Sequence, residues 1–164
     1  MTDDTILPKV SYSKDWARVD LSGEWRGTIQ SQWKHQQADV PIAPIPATLD
    51  LRQGWEEVVF QLSTESMRSR SSPAIPYYDA ATHELQFRYF FETSPTVASS
   101  RDNPPQKLGS AIARVDVAKP DRIEISYTNE RGAGGDIVLE RTTPQTGKRR
   151  RRRARSGQGQ RAAA

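Results

Sequence analysis

Between Leu21 and Thr142 apolar and polar residues alternate with a period of two, broken at short intervals by turn residues. The pattern predicts strands at about 21–33, 46–52, 55–63, 68–78, 84–92, 109–117, 121–128 and 136–142. Gly54, the run Asp79-Ala80-Ala81-Thr82, Lys119-Pro120-Asp121 and Gly132-Ala133-Gly134-Gly135 fall where strands should end. The one long connection is TSPTVASSRDNPPQK, residues 93–107. Leu85, Phe87, Tyr89 and Phe91 share one face of their strand, with Gln86, Arg88 and Phe90 on the other; Ile123, Ile125 and Tyr127 share a face of theirs. About eight short antiparallel strands at near-even spacing predict an all-β fold. The simplest arrangement is a small closed up-and-down barrel of the lipocalin-like kind, because closure removes exposed edges. A two-sheet sandwich is the alternative. An eight-stranded barrel has room for side chains, or for one small ligand near a mouth.

The domain so defined covers residues 21–142, after an arm at 1–20. From Thr143 the composition turns to Gly, Gln, Ala and Arg, which cannot bury a core and reads as a disordered tail. That tail changes the meaning of the charge. Eight of the 24 Lys and Arg lie between Lys148 and Arg161 with no acidic residue among them; the other 16 face 20 Asp and Glu in residues 1–147. The body is therefore acidic, and the basic pI belongs to KRRRRRAR and its flank. Such a tail draws polyanions, whether nucleic acid or an anionic membrane surface, or it is simply a solvated end. The absence of cysteine excludes disulfides, thiolate zinc sites and a cysteine nucleophile. There is no signal-peptide pattern and no run near the ~20 apolar residues of a membrane helix, so the expectation is a cytoplasmic chain. His35 and His83 have no Ser or Asp partner at a recognisable spacing and no companion ligands for a metal. No catalytic residue, metal or cofactor is expected, and the chain does not read as an enzyme.

Six pieces carry a resemblance: LSGEWRG at 21–27, LDLRQGWEEVVFQLSTES at 49–66, SMRSRSSPA at 66–74, LQFRYFFETSP at 85–95, KLGSAIARVDV at 107–117 and YTNERGAGGDIVLER at 127–141. In this order and spacing they resemble the cyclic-nucleotide-receptor β-barrel of antiphage CBASS systems. That family is also described as the CD-NTase-associated, or SMODS-associating, two-transmembrane β-strand-rich effector. The resemblance implies a bacterial sensor barrel that binds a cyclic dinucleotide made by a partner nucleotidyltransferase, and that signals by self-assembly. In usual members two transmembrane helices precede the barrel. This sequence has none, so the resemblance extends to the sensor alone: either the output lies in another chain, or this is a stand-alone sensor or ligand sponge, or the sequence is a truncated one.

A cyclic dinucleotide presents two phosphates, two flat bases and ribose hydroxyls. Its site would need Arg for phosphate, aromatic faces for stacking, and short hydroxyl or amide side chains for base edges. Tyr127, Thr128, Asn129 and Arg131 supply all three types. The same residues also suit a core ring, the start of a turn and a solvated cation. In SMRSRSS, alternation sets Ser69 and Ser71 opposite Ser66, Arg68 and Arg70, so the serines could face inward, or the strand could be a charge-protected edge. Tyr89 lies in phase with Phe87 and Phe91, as a core ring would; Arg88 would contact phosphate only if its own face lined the site. Trp25 reads as a residue that plugs the barrel. The competing function is a nucleic-acid-binding β-barrel whose affinity comes from the arginine tail.

Overall fold

The computed structural model describes residues 19–32, 42–96, 107–130 and 132–142. Nine strands form in the order β1 (Gly23–Ser31), β2 (Ile45–Gln53), β3 (Val58–Ser63), β4 (Met67–Ser71), β5 (Pro76–Asp79), β6 (Glu84–Pro95), β7 (Lys107–Asp116), β8 (Arg122–Asn129) and β9 (Gly134–Arg141). Every pairing is antiparallel. The ladder runs β4-β3-β2-β1-β9-β8-β7-β6-β5, and pairing of β4 with β6 closes it. The result is an eight-stranded antiparallel barrel with β5 as an added strand. Closure is what spares these short, half-buried strands an exposed edge.

The region expected as one strand at 68–78 is two. Pro73 and Pro76 lack N–H groups and cannot continue a ladder. The chain bends there, so β4 pairs with the far end of β6 (Ser71 opposite Phe91) and β5 with its start (Pro76 opposite Phe87). At the break, Ser72 and Phe90 bridge the strands through N–H donation to the Phe90 carbonyl at 2.8 Å. The opposite departure occurs at 93–107. β6 runs on through Pro95 and β7 begins at Lys107, because Ser69, Arg68 and Met67 extend the ladder opposite Thr93, Ser94 and Pro95. Breaker-like composition gave way there to tertiary pairing.

The two ends of the barrel differ. The turns 54–57, 80–83 and 117–121 gather at one end, which is filled. Leu21, Trp25, Leu51, Val58, Leu85, Phe87, Val115, Ile123 and Leu139 are almost wholly buried there. Trp25 Nε1 donates to the Leu21 carbonyl at 3.0 Å. The inward-facing Gln53 donates to the Val19 carbonyl at 3.0 Å and accepts the Leu21 amide at 2.7 Å. Arg141, also in phase with the buried face of its strand, lays its guanidinium 4.4 Å from the Trp25 ring centroid. It donates to the carbonyls of Ser22, at 3.0 Å, and Asp20. Residues 19–22 are thus a strap across the closed end, held by side chains from β1, β2 and β9. No described helix is long and apolar enough to cross a membrane.

Candidate functional site

Among the described residues the other end is open. The strand ends that meet the 32–44, 64–66, 96–106 and 130–133 connections lie there. A cavity of about 630 Å³ descends from this mouth into the barrel, within the range of small-ligand sites. The strap and Trp25 fill the far end, so among the described residues the cavity has a closed floor there.

Its wall has two characters. Toward the floor, Ile29, Leu49, Ile125 and Ile137 are aliphatic, and Phe60 and Tyr89 stack with ring centroids 4.6 Å apart at 13°. Nearer the mouth, Phe91 and Tyr127 meet edge to face, 6.2 Å apart at 75°. Two glycines make room for this pair. A Cβ on Gly109 would collide with the Phe91 ring, and one on Gly135 would sit 2.9 Å from the Tyr127 hydroxyl oxygen and strike the Gln30 carbonyl. Only residues without side chains let both rings lie back against the wall.

The polar groups are mostly short. Ser31, Thr64, Ser66, Ser69, Ser71 and Thr93 line the cup, with Asn129 and Lys107 near its mouth. Several are already engaged. Thr93 and Ser69 join hydroxyls at 3.1 Å. Ser71 Oγ, almost completely buried, accepts the Phe60 amide at 2.9 Å in place of a ladder carbonyl. Thr64 Oγ1 accepts the Met67 amide at 3.1 Å and fastens the β3–β4 turn. Asn129 Oδ1 accepts the Ala133 amide at 3.0 Å, and Gly132, at φ +74°, takes the left-handed conformation that the turn needs. The 125–141 stretch thus combines a hairpin, whose turn is shaped by Asn129 and Gly132, with part of the cavity rim.

Burial also acts on the phenols. It pushes the Tyr89 hydroxyl far above the ordinary tyrosine range. It raises Tyr127 as well, helped by the Asp136 carboxylate and opposed by a hydrogen bond with Ser31. Both remain neutral hydroxyls at physiological pH.

Of the residues expected at a ligand, Ser69, Ser71, Tyr89, Tyr127 and Asn129 line the cup together. Thr128 and Arg88 do not. Each sits one residue out of phase with its buried neighbours, so both are exposed on the outer surface. The period-two rule that turns Tyr127 and Tyr89 inward turns them out. Arg131 lies outside the described residues, as do His35, the 1–18 arm and the arginine tail. His83 is an exposed turn residue at φ 58°, its Nδ1 3.1 Å from the Tyr78 hydroxyl and remote from the cavity wall. Among the described residues no cluster of His, Asp and Glu could hold a metal ion.

Sequence reading missed Phe60, Thr93 and Lys107. Phe60 is in phase with Val58 and Leu62, and Lys107 with Gly109, Ala111 and Ala113. Those phases carried the information, but Thr93 and Lys107 looked like the ends of a loop. No protein-family model and no curated protein matches this chain.

Proposed function

We propose that this barrel is a receptor for a cyclic dinucleotide in a bacterial antiphage signalling system of the CBASS type. The observation that carries the reading is the cup itself. It is a cavity of about 630 Å³ lined, among the described residues, by four aromatic rings, a set of hydroxyls and one cation, Lys107. A compact ligand with flat bases and anionic linkages matches that combination. Stacking on aromatic rings contributes roughly 1–3 kcal/mol per base, hydroxyls and Asn129 address base edges and ribose, and Lys107 faces a phosphate. A closed floor suits a small ring rather than a strand of nucleic acid, which needs a through-going groove. The barrel acts by binding, with no bond made or broken. Its signal passes to an effector chain or to further copies of itself, and the arginine tail adds attraction to anionic surfaces.

Isothermal calorimetry against a panel of cyclic dinucleotides tests this. The wild-type barrel should bind at least one member, and Lys107→Gln should weaken that binding roughly 10- to 100-fold, as expected for loss of a charge-assisted bond of about 1.5–3 kcal/mol. Failure to bind any member removes the proposal. The aliphatic wall of Ile29, Leu49, Ile125 and Ile137 favours one competing reading, a carrier of an apolar small molecule. Tight binding of a fatty acid or a naphthalene dye, undisturbed by every dinucleotide, would favour that reading instead.

A further inference from the structure

Tyr89 differs from every other hydroxyl in the cup. β6 turns it inward between Phe87 and Phe91, and its ring lies flat against Phe60. The residue is 9% exposed, yet it forms part of the cavity wall. Ser69 and Thr93 bond each other, Ser71 and Thr64 accept backbone amides, Tyr127 bonds Ser31, and Ser66 is also engaged. No hydrogen bond within the described residues engages the Tyr89 hydroxyl, in contrast to Ser69, Ser71, Thr64, Thr93 and Tyr127. That hydroxyl is not sealed in the core but meets the cavity, so a ligand that displaces water there must offer it a hydrogen-bond partner or leave it unpaired. Phenylalanine would fill the same space and stack on Phe60 equally well, so packing alone does not require the hydroxyl.

We infer that Tyr89 is a specificity-determining residue of the cup, selecting a ligand whose innermost part is a flat heterocycle with a hydrogen-bonding edge. The Phe60–Tyr89 stack supplies an apolar platform for the ring, and the phenol can either donate to or accept from the ring's polar edge. A hydrocarbon of the same shape would leave the hydroxyl unpaired in the complex, which is how a buried polar group rejects an apolar competitor. The inference rests on the cup being the cyclic-dinucleotide site. It adds that base identity is read at the floor and phosphate at the mouth.

The test compares wild-type protein with Tyr89→Phe by calorimetry against cyclic di-AMP, cyclic di-GMP, cyclic GMP–AMP and cyclic UMP–AMP, with thermal unfolding of both free proteins. Free Tyr89→Phe should unfold at the same temperature as wild type or higher, because it loses no bond within the protein. It should bind the preferred dinucleotide about tenfold more weakly, about 1.4 kcal/mol, and discriminate less among the four. Equal affinity and equal discrimination in the two proteins would overturn the inference while leaving the receptor reading intact. A lower unfolding temperature for free Tyr89→Phe would also overturn it, since the hydroxyl would then serve the fold. If wild-type protein binds none of the four, the receptor reading falls and this inference falls with it.

Discussion

Arg141 gives the sharpest test of how the closed end is held. Its side chain is only 8% exposed. The guanidinium lies over Trp25 and donates to two carbonyls of the 19–22 strap, while Nε is buried without a hydrogen-bond partner, 3.9 Å from the exposed Asp121 carboxylate. In Arg141→Ala the two charge-assisted bonds disappear. Each is worth about 1.5–3 kcal/mol when its acceptor stays dry, and less here because the freed carbonyls of exposed Asp20 and Ser22 regain water. The stacking on Trp25 adds about 1 kcal/mol. Removing the unpaired Nε offsets part of the loss. The net expectation is about 2–3 kcal/mol, or about 8–12 °C in thermal midpoint for a domain of this size. Arg141→Lys keeps the charge but not the planar fork, and should fall between the two. Thermal unfolding followed by tryptophan fluorescence reads the midpoint. Hydrogen exchange at the Leu21 amide, which bonds Gln53, reads the strap and should quicken in Arg141→Ala. A midpoint within 2 °C of wild type, on the order of 0.5 kcal/mol, would refute the reasoning and make the strap independent of its clamp.

Two further outcomes follow from the cavity wall. Ser71→Ala leaves the Phe60 amide buried without an acceptor and should cost about 1–3 kcal/mol, measured as a lower urea midpoint. Alkaline pH should act through Tyr89, whose pKa burial raises. Below the unfolded value of about 10 both states hold the proton and its contribution is complete. As pH rises past 10 the unfolded chain releases a proton that the folded chain keeps, so stability falls by about 1.4 kcal/mol per pH unit. Urea titrations between about pH 9 and 12 should show this slope in wild type and a shallower one in Tyr89→Phe; identical slopes would mean that the phenol titrates normally.

Most of the strands and their faces were legible in the chain because a β-strand has a side-chain period of two, which needs no knowledge of partners. Leu85, Phe87, Tyr89 and Phe91, and Ile123, Ile125 and Tyr127, all turn inward as their spacing requires, and Trp25 fills the core. That same phase, read strictly, already set Thr128 and Arg88 outside. What the chain could not declare were features made by residues far apart in sequence. Pairing of β4 with β6 decides closure and carries β6 through Thr93. Arg141 meets a strap some 120 positions earlier, a separation of 119 residues to Ser22. Lys107 becomes a cavity residue only because its strand starts at the open end. Such contacts depend on register and barrel closure, which the summed free energy of the whole fold selects; local alternation says which way a side chain points, but not what it will meet.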